Sequence, residues 1–224
     1  MKKINMIIER YRSIWNMFLY MLIYLAVFRW LEVRKVARFH VIHTALDSRI
    51  PFCEYFVIPY YMWFLYVAVC VVYIGMRNQK EGRKLGQFLM IGMTIFLAIS
   101  AIYPNIQHLR PRVFYHDNIF VDMVKALYKA DTSTNILPSI HVYNSIAVMI
   151  ACGRDEFIQK CRPVKWLIWL LGASIILSTM FIKQHSVIDV TSAIILGIIS
   201  YVICYKWEVQ TNRKSGDVGV GVKY

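Results

Sequence analysis

Charge is scarce in this chain, and acidic charge is scarcest. Of 224 residues only 17% are charged, with 13 Asp and Glu against 26 Lys and Arg, while 58% are hydrophobic and the mean hydropathy is +0.47. A soluble domain is roughly half apolar and about a quarter charged. Several uninterrupted apolar runs here approach the ~20 residues that a hydrocarbon core of about 30 Å requires. A soluble globular enzyme is thereby excluded, and 12 Phe, 15 Tyr and 6 Trp exclude a disordered chain of low hydrophobicity. Paired cysteines are also missing. Cys53, Cys70, Cys152, Cys161 and Cys204 form no CxxC pair and no His–Cys ligand spacing, so neither a disulfide framework nor a zinc site is expected. No cluster of carboxylates suggests another metal, and no cofactor is implied. No internal repeat is visible, which argues against the inverted-repeat transporters.

What is present is basic charge at the ends of apolar runs. A formal charge of +13 would suggest nucleic acid in a soluble protein. Here most Lys and Arg flank hydrophobic stretches, which is how membrane topology is encoded. No nucleic-acid partner is expected; the partner is a lipid bilayer. The pattern predicts an all-α, polytopic membrane protein, a bundle of six transmembrane helices within residues 1–207. The spans are expected at about 14–31, 56–76, 85–103, 138–153, 166–182 and 187–207, followed by a mobile tail at 208–224. The first span has no small-residue cleavage site after it and reads as a retained helix. Between the third and fourth spans, Ile119, Val121, Val124, Leu127 and Tyr128 predict a short amphipathic helix at a surface or interface. Sixteen of the 26 basic residues fall in the N-terminus, the second and fourth loops and the tail, which predicts that both termini are cytoplasmic. Arg34, Lys35 and Arg38 are the exception, in a basic stretch suited to anionic headgroups.

On this topology the polar residues gather at the opposite, extracytoplasmic face. Arg110-Pro111 lies in the long loop, Pro138-Ser139-Ile140-His141 opens the fourth helix, and Lys183-Gln184-His185 fills the turn before the sixth. Asp189 follows His185 at i+4, on the same helix face, where a carboxylate can hold the Nδ1 proton and leave Nε2 as a nucleophile or base. The same spacing also suits a polar pair stitching two helices. Ser139 is a natural N-cap behind Pro138, and the helix N-terminus is an anion site with His141 beside it. Singly, this could be an ordinary capped helix. Arg110 could grip a phosphate or simply face headgroups, and Lys183 could snorkel to the interface. Together, two histidines, an ordering carboxylate, cations and a helix N-terminus are the parts for in-line phosphoryl transfer through a phosphohistidine without a metal.

The order of these residues resembles the type-2 phosphatidic acid phosphatase superfamily, with its motifs KxxxxxxRP, PSGH and SRxxxxxHxxxD on a six-helix core. Arg110-Pro111, Pro138-Ser139-Ile140-His141, and Ser178 with His185 and Asp189 occupy them in sequence. The resemblance implies that His185 is the nucleophile, Asp189 its orienting carboxylate and His141 the general acid. It implies that Arg110 and Ser139 bind phosphate. Three positions depart from the pattern: Tyr103 stands for the first motif's Lys, Thr179 for the third motif's Arg, and Ile140 for the Gly of PSGH. Lys183 and Arg112 are the candidate replacement cations. Similar changes, including a Lys-Gln-His turn, resemble the branch of phosphoinositol- and phosphocholine-transferring ceramide enzymes and small bacterial members.

These residues predict an integral membrane lipid phosphatase of a bacterial plasma membrane, acting on a lipid phosphomonoester or pyrophosphate from the extracytoplasmic face. One alternative is a phosphotransferase that gives the phospho-headgroup to a lipid alcohol. Another is a non-catalytic protein that binds or transports a lipid phosphate. The sequence carries no signal for oligomeric state.

Overall fold

The computed structural model describes residues 2–207, with side chains described from Trp15 to Lys206; the tail expected at 208–224 lies outside the described residues. The described chain is mostly helical. Its helices are α1 (Lys2–Val33), α2 (Ala45–Arg49), α3 (Val57–Arg77), α4 (Gln79–Ile102), α5 (Ile119–Ala130), α6 (Ile140–Cys152), α7 (Glu156–Lys160), α8 (Arg162–Phe181) and α9 (Val187–Tyr201). A two-residue strand β1 (His40–Val41) pairs in parallel with β2 (Asn105–Ile106), joining the segments that follow α1 and α4.

Side-chain caps start most of these helices where the sequence changes from polar to apolar. Asn78 accepts the Lys80 and Glu81 N–H groups at α4, Asn118 the Val121 N–H at α5, and Asp155 the Phe157 and Ile158 N–H groups at α7. Pro sits in the first turn of α8, where its missing N–H costs nothing. Pro104 follows the end of α4 at Tyr103.

α6 is the hub, packed against α3, α4, α8 and α9, while α1 lies outside on α3 and α4. The core is apolar: Leu85 and Phe88 of α4, Tyr143 and Val148 of α6, Ile175 of α8 and Ala193 of α9 are all buried. The opposite faces of the outer helices carry exposed Phe64, Leu65, Trp166, Leu167 and Ile198, as a lipid-facing surface would.

Among the described residues five helical stretches are long and apolar enough to cross a membrane: Trp15–Val33 within α1, Glu54–Arg77 (α3 with the single 3-10 turn Glu54–Phe56 before it), Gln79–Ile102, Arg162–Phe181, and Val187–Lys206 (α9 with its π-helical continuation). The helix in the place of the fourth expected span is shorter. α6 has 13 residues, which at 1.5 Å per residue is about 20 Å against the roughly 30 Å of a hydrocarbon core. Its neighbours enclose it, so it can be short without exposing backbone to lipid.

Close approach at α6 fixes one glycine. A Cβ on Gly92 of α4 would lie 2.0 Å from Cε1 of Tyr143, whose hydroxyl donates to the Phe88 carbonyl at 2.7 Å and lies 2.7 Å from the Ser200 hydroxyl. Gly92→Ala is expected to cost about 1–3 kcal/mol, the range for overpacking a filled core, read as a lower melting temperature in detergent. Gly197→Ala, whose Cβ would meet nothing nearer than 3.4 Å, is the control and is expected to be neutral or stabilising. Equal melting temperatures for Gly92→Ala and the parent would contradict the packing at this crossing.

Candidate active site

The polar residues collect where α4 and α8 end and α3, α6 and α9 begin. The centre is the turn between α8 and α9. Lys183 takes a left-handed backbone there (φ 55°), uncommon for a residue with a Cβ. The Thr179 carbonyl accepts the N–H groups of both Gln184 and His185 at 2.9 Å. Ser186 caps α9, and in the reciprocal half of a capping box Asp189 Oδ2 accepts the Ser186 N–H at 2.8 Å. The same oxygen lies 3.4 Å from His185 Nδ1. With the Nδ1 proton toward Asp189, Nε2 of His185 is the free nitrogen. Asp189 Oδ1 is buried and has no hydrogen bond among the described residues.

α6 meets this turn directly. The Ser139 N–H donates to the Asp189 carbonyl at 3.2 Å, and the Ser139 hydroxyl accepts the Val142 N–H as the N-cap. His141, one residue into the helix, stands with its ring centroid 5.7 Å from that of His185. Two rings of α3 hold it, Tyr60 at 4.5 Å and Trp63 at 4.3 Å between centroids. His185, Asp189, His141 and Ser139 therefore form one cluster, built from the first turns of α6 and α9.

The cations are disposed differently. Arg110 donates Nη1 to the carbonyls of Tyr128 (3.1 Å) and Asp131 (3.0 Å) and Nη2 to the Thr132 carbonyl (2.8 Å) and to Oε1 of Gln184. Its guanidinium also lies 4.4 Å over the Tyr128 ring. Lys183 turns its ammonium to the Asp47 carbonyl (2.8 Å) and the Ile50 carbonyl, which ties α2 to the turn. Burial pushes that ammonium below its ordinary pKa, partly offset by the Asp47 charge. Arg112 is exposed and, with Gln107, His108, Arg110 and Ser133, lines a cavity of about 190 Å³. Among the described residues, no group of three or more His, Cys, Asp or Glu is placed to hold a metal ion.

A model of the family described as the PAP2 superfamily matches residues 89–213, more than half of the chain and all of the cluster just described. The chain belongs to the PAP2 superfamily, that of the type-2 phosphatidic acid phosphatases. No curated protein and no solved structure matches it. Membership and the long apolar helices make this a membrane protein with a phosphatase-type activity, since PAP2 proteins usually hydrolyse phosphate esters.

The departures from the PAP2 motifs have structural occupations. Tyr103 stacks on His40 with centroids 4.0 Å apart. Thr179 is buried, its hydroxyl donating to the Ile176 carbonyl at 2.7 Å and its own carbonyl fixing the turn. Neither carries charge toward the histidines. Several residues around the cluster were not singled out in the sequence. Asp47 accepts the Ser186 hydroxyl at 2.7 Å and the Val187 N–H at 2.8 Å, and Gln107 donates to the Lys183 carbonyl at 2.9 Å. Asp131 accepts the Tyr60 hydroxyl at 3.3 Å. The available signal was scarcity: in a chain with 13 acids, a carboxylate flanked by apolar segments marks a buried role.

Burial pushes the Asp131 carboxyl above its ordinary value; the charges of His185 and Arg110 and the Tyr60 hydroxyl pull it back, and the Glu32 charge pushes it further up. The folded chain thus holds this proton more tightly than the unfolded chain. Stability from this group is present below the ordinary carboxylate value of about 4 and is lost as pH rises through the higher folded value. Asp131→Asn keeps an acceptor for Tyr60 and removes the titration. Its melting temperature relative to the parent is expected to climb as pH is raised from about 4 toward 7. A constant or falling difference would contradict the assignment.

Proposed function

We propose that this protein is an integral membrane lipid phosphatase, hydrolysing a lipid phosphomonoester or pyrophosphate at the extracytoplasmic face through a phosphohistidine. α6 completes a six-helix bundle in this reading, and both termini are cytoplasmic. The supporting observation is one piece of geometry: His185, its Nδ1 beside the buried Asp189, faces His141 across 5.7 Å at the N-termini of two helices.

The lone pair on Nε2 of His185 attacks phosphorus and forms a P–N bond. The P–O bond to the lipid breaks, and the departing oxygen takes a proton from His141. Neutral His141 then takes a proton from water as the water oxygen attacks phosphorus. The P–N bond breaks, inorganic phosphate leaves, and the electron pair returns to His185. Arg110, Ser139 and the α6 N-terminus steady the equatorial oxygens, with Arg112 in the cavity beside Arg110; Lys183 acts by holding the turn. No metal or other cofactor enters these steps.

A second reading, transfer of a phospho-headgroup to a lipid alcohol, uses the same site. Tyr103 and Thr179 in place of two motif cations, with Asp131 close by, suit a singly charged phosphodiester better than a doubly charged monoester. Its product is a new phospholipid rather than free phosphate.

Purified protein in detergent with chelator present is expected to release inorganic phosphate from at least one member of a panel of lipid phosphates and pyrophosphates. His185→Ala and His141→Ala are each expected to lose about a hundredfold or more in turnover, the scale of positioned nucleophiles and acid–base groups, while each variant keeps a cooperative melting transition. The parent's rate should be bell-shaped in pH, because one histidine works deprotonated and the other protonated. Full turnover in His185→Ala would overturn the mechanism.

A further inference from the structure

The donors of Arg110 can be counted to completion. A guanidinium has five N–H groups. The two on Nη1 go to the Tyr128 and Asp131 carbonyls, and the two on Nη2 go to the Thr132 carbonyl and to Gln184 Oε1. Only Nε–H is left, and among the described residues it has no hydrogen-bond partner. The side chain it touches is in the same condition. Gln184 is 2% exposed, its Oε1 is taken by Arg110, and its Nε2 has no hydrogen-bond partner among the described residues. Three N–H groups are therefore brought together, one on a cation and two on a neutral amide, all withdrawn from water and unmatched. Buried donors left unmatched are rare because they lose water and gain nothing.

These donors are tied to the reacting groups by the chain and by a short relay of contacts. Gln184 immediately precedes His185, and the Thr179 carbonyl holds the backbone N–H of both. Arg110 bonds the Asp131 carbonyl, Asp131 bonds Tyr60, and Tyr60 stacks on His141. A ligand that satisfies unmatched N–H groups on two side chains in contact presents several acceptor oxygens, as a tetrahedral oxyanion does. We propose that Gln184 is a phosphate-binding residue, its amide Nε2 joining Arg110 Nε–H in a cradle for the non-bridging oxygens of the group transferred to His185. The inference rests on the lipid phosphatase reading for the identity of that group, but the cradle itself binds a tetrahedral oxyanion with or without turnover. With Tyr103 and Thr179 in place of two cations, part of the electrostatic grip is replaced by a neutral amide.

The competing account is that Gln184 only orients Arg110. Gln184→Glu separates the two, because a carboxylate still accepts from Arg110, as an ion pair, but donates nothing and repels an anion. Gln184→Met has similar size and removes both functions. KM for the lipid phosphate and inhibition by orthovanadate are measured for each, with melting temperature as the check on folding. In Gln184→Glu, KM and the vanadate inhibition constant are each expected to rise about tenfold or more, the scale of a lost hydrogen bond to a charged group. If Gln184→Glu behaves as the parent, whether or not Gln184→Met is impaired, the proposal is overturned. Should the parent hydrolyse none of the lipids, the phosphatase reading fails, and orthovanadate titration by calorimetry decides the cradle alone. Binding by the parent that Gln184→Glu loses supports it. Equal binding by both, or none by the parent, overturns it.

Discussion

Between α8 and α9 the chain reverses within residues 182–186, at the end of two apolar helices, and almost every backbone group in that reversal is out of contact with water. Such groups have to find partners in the protein. The Lys183 N–H goes to the Met180 carbonyl, those of Gln184 and His185 to Thr179, that of Ser186 to Asp189, and that of Val187 to Asp47. The carbonyls are met from outside: Tyr128 donates to Ile182, Gln107 to Lys183, and the Cys53 N–H to Phe181. α2, the Glu54–Phe56 turn, the segment after β2 and α5 are thus organised around one reversal. Its rigidity holds His185 still beside Asp189. Asn105 extends the same logic toward α6, its Oδ1 accepting the Ile136 and Leu137 N–H groups just before Pro138.

The same demand accounts for how positive charge is used. Lys183 and most of Arg110 serve backbone carbonyls, and Arg34 likewise donates to the Ser100 and Ala101 carbonyls at the end of α4, where a cation also suits the helix dipole. Glu32 of α1 does the converse, accepting from the side chains of Thr132, Thr134 and Asn135. Charged residues here are frequently fasteners of polar loops, so a cation near the histidines cannot be counted as a phosphate ligand from its position alone. With the first N–H groups of α9 taken by Asp189, Asp47 and Ser186, what the proposed function leaves for an incoming anion is a short set of N–H groups and the N-terminus of α6.

The long apolar helices were legible in the sequence because hydrocarbon length and absence of charge are one-dimensional properties. α6 was less so: a buried helix shielded by neighbours obeys no length rule, and its 13 residues fall short of a crossing. His141, His185 and Asp189 stood out by spacing and by the rarity of polar groups beside apolar runs. The destinations of Arg110 and Lys183 were not legible, since they depend on carbonyls of residues up to 136 positions away in the chain. Asp47 and Tyr60 escaped for a related reason, and Gln184, seen as part of the turn, showed no role of its own. An amide, an acid in a loop and a tyrosine in a span are ordinary until the fold sets them against the turn.

The central claim is that His185, braced at the start of α9, carries the phosphoryl group covalently. A rapid alkaline quench during single turnover of a lipid phosphate, followed by peptide mass spectrometry, tests it directly. The account predicts an alkali-stable, acid-labile phosphate on His185 that forms and decays with turnover. Turnover with no phosphate on His185 at any time point, or with phosphate on a different side chain, would contradict it.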